Sequence, residues 1–365
     1  MRHLYVHLPF CAHRCGYCDF VTAVGRQGEH GPYVDALVAE LEQERWRLGE
    51  RVETAFLGGG TPTFTETAAF ERLLRALPEV EELTVEANPE TVTPSLAALL
   101  GELGVNRVSL GAQSFRPHLL EVLERVAGPD DVRHGVHTLR DAGLDNISLD
   151  LVYGIPGQSP ADLEADLADA LALEPEHLSC YELEAKPGTR FTHAHGEELQ
   201  RQAEAMEGYF EQVVETLTGA GYRWYETANF CRADGGRELR ARHNLGIWRG
   251  HDYLGVGIGA VSTLEGERRR NLPSLRRYVE ALAAGAEPPR EVEPIDAETR
   301  AVELLMLGLR LDEPLPLAGL EPVVDGDALA RLVEQRLVER SESEIRLTPR
   351  GRLLGGGVTA ELLSV

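Results

Sequence analysis

The sequence predicts an α/β fold: a parallel sheet built from repeated βα units, with a smaller helical module after it. Three observations predict this. Between residues 4 and 183, short apolar runs alternate with stretches of helical periodicity, and the turns between them are short. Glu86, Gln113 and Asp150 interrupt this pattern at the ends of strands or inside one, and sheets of this kind carry function at their strands' C-terminal ends. From Ala301 the chain changes character, to compact apolar helices and a small hairpin.

Taken in order, Leu4-Tyr5-Val6-His7-Leu8 reads as a buried strand, which Pro9 ends because it has no amide proton for the ladder. Cys11, Cys15 and Cys18 follow on a short loop. Residues 33–48 carry Val34, Leu37, Val38, Leu41 and Trp46 near helical spacing, and Gly49 closes that helix. A strand over 52–57 runs directly into Gly58-Gly59-Gly60-Thr61-Pro62-Thr63. Helices over 70–77, 95–103, 119–126, 132–142 and 163–173 then alternate with strands over 83–87, 107–111, 147–152 and 177–183. Residues 197–220 read as one long surface helix with Leu199, Met206, Phe210, Val213, Val214 and Leu217 on its apolar face. Residues 222–229 read as a strand or edge ribbon, and 281–294, rich in Ala, Gly, Pro and Glu, as a linker. Helices over 301–311 and 328–337 and a hairpin over 340–352 resemble a winged-helix-like module.

A chain of 365 residues with 43% hydrophobic content suits one large domain plus a smaller one. A net charge of −24 repels phosphate backbones, so nucleic acid is not an expected partner. The clusters Arg268-Arg269-Arg270 and Arg276-Arg277 are short and set among acids, as on a solvated face. Glu334, Glu339, Glu342 and Glu344 argue the same for the C-terminal module, whose surface suits packing or a protein partner. Five cysteines, three of them within eight residues, make no disulfide framework, and no apolar leader is read ahead of them. A reducing cytoplasm is the expected location. No apolar run reaches bilayer-crossing length, so any membrane role is expected to be peripheral.

Three thiolates at C-x3-C-x2-C can hold three corners of a [4Fe-4S] cube, leaving one iron open to a ligand from outside the protein. The same residues also read as a zinc knuckle completed by His7 or His13, or as three core cysteines. Structural zinc prefers paired C-x2-C units, and a second pair is not seen. Three glycines after a buried strand let the backbone approach a ligand or take positive φ, although a plain turn uses them too. Asp150, inside the apolar run ISLDLVYGIPG, needs a ligand or a fixed donor, which an arginine or a capping amide would also supply. Glu86 and Gln113 can equally be sheet-end hydrogen bonders, and Arg125 an exposed helix residue. Cys180 and Cys231 sit in apolar settings and read as inert core.

The cysteine motif resembles that of the radical S-adenosylmethionine (SAM) superfamily, in which SAM chelates the open iron. The words LYVHLPFC and CGYCDF resemble the branch holding the oxygen-independent coproporphyrinogen III oxidases (HemN-like) and the HemW-type haem chaperones. The resemblance implies a partial (β/α)6 barrel over 1–185, a barrel extension over 186–290 and a helical, winged-helix-like domain over 291–365. It implies a [4Fe-4S] cluster on Cys11, Cys15 and Cys18, with SAM flanked by Tyr5 and Tyr17. Gly59, Gly60 and Thr61 would take the methionyl end, Arg125 its carboxylate, and Gln113 and Asp150 the ribose. Glu86 falls where that branch serves a second SAM, and one SAM is the expectation here.

Two features separate chaperones from oxidases. The oxidases resemble C-x3-C-x2-C-x-C, and Phe20 stands here at the last cysteine. His243-Asn244-Leu245-Gly246-Ile247-Trp248 resembles the chaperone signature H-N-x-x-Y-W, with Ile247 at its Tyr. Read plainly, that is a hydrogen-bonded His near a packed indole. By resemblance it is a haem site at His243, Asn244 and Trp248, with His243 the axial ligand and Cys231 an alternative thiolate. The implied function is a haem chaperone that carries the cluster, SAM and haem, passes haem to an acceptor protein, and forms a homodimer. The alternative is SAM-dependent oxidative decarboxylation of coproporphyrinogen III, although the oxidases' N-terminal extension has no counterpart ahead of Cys11. RNA-modifying relatives would need a basic platform, which is not read here.

Overall fold

The structure, a computed structural model, describes residues 1–186, 190–233 and 236–364. Six strands follow the alternation read from the sequence: β1 (His3–Leu8), β2 (Val52–Gly59), β3 (Val80–Ala87), β4 (Arg107–Gln113), β5 (Ile147–Tyr153) and β6 (His177–Glu182). Each pairs in parallel with the next in chain order. Later strands are β7 (Tyr222–Glu226), β8 (Asn229–Arg232), β9 (Tyr253–Val256), β10 (Val261–Leu264), β11 (Glu267–Asn271) and β12 (Arg290–Pro294). All twelve form one sheet in the order β12-β11-β10-β9-β1-β2-β3-β4-β5-β6-β8-β7. β9 adds a parallel strand beside β1, and antiparallel strands finish both sides. The end strands β12 and β7 do not pair with each other, so the sheet is open, consistent with a partial barrel.

The helices His30–Glu44, Thr67–Ala76, Pro94–Glu102, Pro129–Asp141 and Pro160–Ala172 bury their apolar stripes on this sheet. One core results, in which Leu37, Phe70, Leu100, Leu139 and Leu167 meet Leu4, Leu57, Val85, Leu110 and Leu149. Their starts carry local signals. Ser159 and Asp162, for example, cap each other reciprocally: the Asp162 amide donates to Ser159 Oγ (3.2 Å) and the Ser159 amide to Asp162 Oδ2 (2.9 Å).

Three segments differ from expectation. The helix expected over 119–126 stops at Val122, and Glu124 then takes a left-handed φ of 56°. The long helix over 197–220 is two, Arg190–Ala203 and Met206–Gly219. The stretch 281–294 is no linker: it holds the end of helix Leu275–Ala283 and then β12. β12 looks linker-like because it is an edge strand with four of its five residues exposed, and such edges carry charge and proline.

The C-terminal unit packs helices Ala297–Gly308, Gly326–Glu334 and Gly355–Leu362 against a sheet of Leu315–Pro316, Glu344–Leu347 and Val338–Arg340. Leu305, Leu329, Leu332, Ile345, Val358 and Leu362 form a core of its own. Polar contacts tie it to β7. Arg352 Nη1 donates to the Trp224 carbonyl (2.7 Å) with its guanidinium 3.7 Å from the indole centroid, Arg310 Nε donates to Glu226 (2.6 Å), and Arg223 Nε to Asp312 (2.7 Å).

Glu40 fastens the far side of the sheet. Its carboxylate is 1% exposed and accepts from the Gly257 amide (2.8 Å), Asn271 Nδ2 (2.7 Å) and Tyr278 Oη (2.5 Å). Removing it leaves the Gly257 amide and Tyr278 hydroxyl buried without that acceptor and takes a carboxylate from beside Arg290 (3.6 Å), while Asn271 Nδ2 keeps the Gly257 carbonyl (3.0 Å), so Glu40→Ala is expected to cost about 3–5 kcal/mol. Tyr278→Phe, which removes one donor, is expected to cost about 1–2 kcal/mol, both read from urea unfolding midpoints.

Candidate functional site

The cysteine loop leaves the C-terminal end of β1 and is closed by that strand's own residues. His7 is buried, and its Nε2 donates to the Val21 carbonyl on the far side of the loop (2.8 Å) while Nδ1 accepts from Tyr5 Oη (3.0 Å). The Ala23 amide donates to the Pro9 carbonyl (2.7 Å), and Phe10–Cys11 pairs in parallel with Ala23–Val24. Burial lowers the His7 pKa to about 4, which keeps the ring neutral and able to play both roles. Gly59 and Gly60 are required by this same closure. A Cβ on Gly59, whose φ is +113°, would lie 2.4 Å from the His7 ring, and one on Gly60 would lie 2.6 Å from the Pro9 carbonyl.

Cys11, Cys15 and Cys18 line one cavity of about 480 Å³ together with Tyr17, Gly59, Gly60, Thr61, Glu86, Gln113, Arg125 and Asp150. Thr61 Oγ1 donates to Cys11 Sγ (3.5 Å) and Arg125 Nη1 to Cys15 Sγ (3.6 Å). Arg125 reaches the cavity because the chain turns back at Glu124, and its Nη2 donates to the Gly111 carbonyl (2.7 Å) and to Asn88 Oδ1 (3.0 Å). Asn88 in turn donates from Nδ2 to Thr61 Oγ1 (3.0 Å), so it joins the glycine segment to Arg125. Gln113 ends β4 with φ 65° beside a register shift against β5, an uncommon conformation for a non-glycine residue that turns the strand end into the cavity.

Asp150 finds several partners. Ser109 Oγ donates to both its oxygens (3.1 and 3.0 Å) and Ser148 Oγ to Oδ1 (3.4 Å). Arg107, 2% exposed, lies in the same cavity floor and its charge opposes the rise in pKa that burial imposes on Asp150, Glu86 and Glu82. Sequence reasoning missed Arg107 and Asn88. Arg107 opens an otherwise apolar strand, as anomalous there as Asp150, and that was its available signal. Asn88 carried none.

Tyr5 stands behind Phe56, which lines the cavity. Strand alternation puts it on the same face as His7, which takes its hydroxyl, and its ring stacks on Phe56 at 6.2 Å. The expected haem set is not assembled on one surface. His243 is 2% exposed at the N-terminal ends of the strands, its Nδ1 held by Thr54 Oγ1 (2.9 Å) and its amide by Glu82 Oε1 (3.1 Å). Its Nε2 is buried without a hydrogen bond, and burial brings its pKa to about 3. Asn244 lines the cavity from below, whereas Trp248 packs with Tyr225 and Leu245 outside it. Helix Arg242–Trp248 is therefore a plug under the sheet. Cys231 is 4% exposed in the same small core, and burial pushes its thiol up to about 11, so it is no thiolate.

The residues present fit an iron–sulfur cluster. Three soft thiols share one cavity wall, where Thr61 donates to Cys11 and the Arg125 cation to Cys15. Among the described residues no group of three or more His, Cys, Asp or Glu side chains is placed to hold a single metal ion. A zinc knuckle through His7 fails because both its ring nitrogens are engaged, and His13 sits 3.8 Å from Glu124. Burial, then the charge of Asp150, raises the Glu86 pKa from 4.5 to about 7. Because folding raises it, this contribution to stability is present below pH 4.5 and is lost as pH rises through about 7. Glu86→Gln is expected to remove that loss, on the order of 3 kcal/mol, from the cluster-free protein, read as a flatter unfolding midpoint between pH 5 and 8.

The radical SAM superfamily matches residues 5–170, and the HemN C-terminal domain matches residues 295–354. The heme chaperone HemW of Bacillus subtilis is 34% identical, with 100% of this chain and 99% of that protein covered. Its counterpart in Mycobacterium tuberculosis is 35% identical over 99% of this chain and 94% of its own, and that of Escherichia coli 35% identical over 86% and 83%. The solved structure of coproporphyrinogen III oxidase (HemN) from Escherichia coli, a radical SAM enzyme, aligns with a TM-score of 0.81 over 98% of this chain and 89% of that one; at 23% identity this is a likeness of fold. With a radical SAM domain, a HemN C-terminal domain and relatives matched from end to end, the chain belongs to the HemW family of radical SAM proteins.

Proposed function

We propose that the protein is a haem chaperone of the cytoplasm: it holds a [4Fe-4S] cluster on Cys11, Cys15 and Cys18, takes SAM beside it, binds haem and hands it to an acceptor protein. The observation that carries the reading is a cavity joining three thiols to Gly59, Gly60, Thr61, Gln113, Arg125 and Asp150, in a chain matched along its full length by relatives named for haem delivery. When bound, the cluster supplies electrons and an open iron position for the amino acid end of SAM.

The chain's own groups have separable tasks. Arg125, whose Nε is buried without a partner, presents positive charge to a carboxylate, and Asn88 and the Gly111 carbonyl fix its direction. Asp150 and Gln113 accept from ribose hydroxyls; the serines leave part of the Asp150 acceptor capacity unused. Tyr17 shields the loop from water, half-buried against Phe191 at 6.5 Å. Phe20, where an oxidase would place a fourth cysteine, is 64% exposed and offers an apolar surface beside the cluster loop.

Cys18→Ala is expected to abolish the cluster after anaerobic reconstitution, seen as loss of bound iron and sulfide. Arg125→Ala should keep the cluster yet weaken SAM by about tenfold or more, in line with a charge-assisted hydrogen bond of about 1.5–3 kcal/mol, measured by equilibrium dialysis. On the reconstituted protein, haem titration should give a saturable Soret band and an anaerobic coproporphyrinogen assay no protoporphyrinogen. The reverse pair of results replaces the chaperone with an oxidase.

A further inference from the structure

A second, larger cavity of about 1020 Å³ opens between the β6–β8 side of the sheet and the C-terminal unit. Its lining is unusual for this chain. Among the described residues eight large apolar side chains are left exposed, and four of them, Phe20, Tyr181, Met306 and Leu354, line this cleft. Concentrated exposure of this kind marks a surface that something covers. Met206 lines it too, and unbranched thioether side chains mould to irregular apolar partners. Helix Gly355–Leu362 contributes Gly355, Gly356, Thr359 and Ala360, which are small enough to let another backbone lie close.

The cleft is also acidic. Asp19, Glu182, Glu184 and Glu207 line it, all at exposed positions. Asp19 and Glu184 share the ammonium of Lys186 (3.9 and 2.9 Å), the chain's one lysine, whereas Glu182 and Glu207 make no ion pair among the described residues. Partial desolvation, then the neighbouring Glu184 charge, holds the Glu182 carboxyl above its ordinary range. The two arginines of the cleft do not balance this. Arg310 is taken up by Glu226 (2.6 Å), and Arg352 lies over the Trp224 indole with its Nη1 on that residue's carbonyl. A cation from outside relieves the carboxylates, and an anion is repelled by them.

We propose that this cleft docks a basic amphipathic segment of a partner protein, its apolar side chains on Phe20, Tyr181 and Met306 and its cations toward Asp19, Glu182 and Glu207. Charge complementarity selects this occupant. The net charge of −24 steers a basic partner inward and repels nucleic acid and anionic lipid alike. A small polyamine answers the carboxylates but leaves the apolar wall wet. Wall and carboxylates together call for a segment with two faces, as when an amphipathic helix lies in a groove. The inference rests on the chaperone reading for the partner's identity, a protein that receives the cargo. Asp19, Phe20, Tyr181, Glu182 and Glu184 line the cluster cavity as well, so a docked segment sits at that cavity's mouth.

The probe is an N-acetylated amphipathic peptide of Arg and Leu, which carries no primary amine, with a Glu and Leu counterpart as control. Both are titrated by fluorescence anisotropy against the full-length, cluster-reconstituted protein without haem. The Arg/Leu peptide should bind saturably, and more weakly as salt rises, while the Glu/Leu peptide should not bind. Lys186 and the Met1 amine are the chain's only primary amines. Acetylation read by mass spectrometry should therefore show Lys186 protected by bound peptide and Met1, held at the Arg47 carbonyl, labelled as before. Met306→Arg, and the pair Glu182→Arg with Glu207→Arg, fall on exposed positions and should each weaken the peptide about tenfold or more. The pair Glu291→Arg with Glu293→Arg on β12 should leave it unchanged. Equal weakening by the two pairs, or an unprotected Lys186, overturns the inference, since net charge alone then draws the peptide. So does a protein that ignores the peptide and sediments as a dimer that Met306→Arg splits, which assigns the cleft to a second copy. Docking without a Soret band on haem titration removes the chaperone reading and keeps the cleft; a Soret band without docking does the reverse.

Discussion

One buried guanidinium organises the interior of the sheet. Arg107 on β4 has carboxylates on the strands to either side, Glu82 and Glu86 on β3 and Asp150 on β5, and its charge opposes part of the rise in pKa that burial imposes on all three. Each carboxylate then holds something else. Glu82 accepts from the Arg242 and His243 amides at the start of the plug helix, Glu86 from the Gly59 amide, and Asp150 from two serines. All three carboxylates nevertheless stay above their ordinary range, and the Arg107 Nε and Nη1 are buried without a hydrogen bond, so the charge acts across space and not through a closed ion pair. The plug, the glycine segment and Asp150 thus all lie within reach of the charge of one side chain.

The same network continues sideways. Ser148 Oγ pairs with His177 Nδ1 (2.8 Å), His177 Nε2 with Tyr225 Oη (2.8 Å), and Tyr225 Oη accepts from the Ala241 amide (3.1 Å). Cavity floor and plug are thus connected twice, through Glu82 and through Tyr225. Below them His3 Nδ1 reaches Thr54 Oγ1 (2.9 Å), the hydroxyl that also holds His243. Polar groups buried in this fashion fix geometry more than they add stability.

What the sequence disclosed was whatever chemistry is local in the chain. Three cysteines in eight residues, three glycines after a strand and a carboxylate in an apolar run all state their requirement within a dozen residues, and the cysteines, Gly59, Gly60 and Asp150 line one cavity. Arg107 and Asn88 were missed because their partners come from other strands. Tyr5 lies on the strand the likeness named, and its hydroxyl is engaged by His7, two residues on and on the same face. For His243, burial depends on Glu82 and Thr54, more than 160 residues earlier in the chain. β12 shows the converse error, since an edge strand needs the charges that make a segment look unstructured.

Because the plug helix covers the lower ends of the strands, the barrel is a blind alley. Traffic enters past the cysteine loop or through the gap flanked by Phe20 and Tyr181, and whatever settles deepest must arrive first. Anything held at the mouth can come and go while the stoppered floor stays intact.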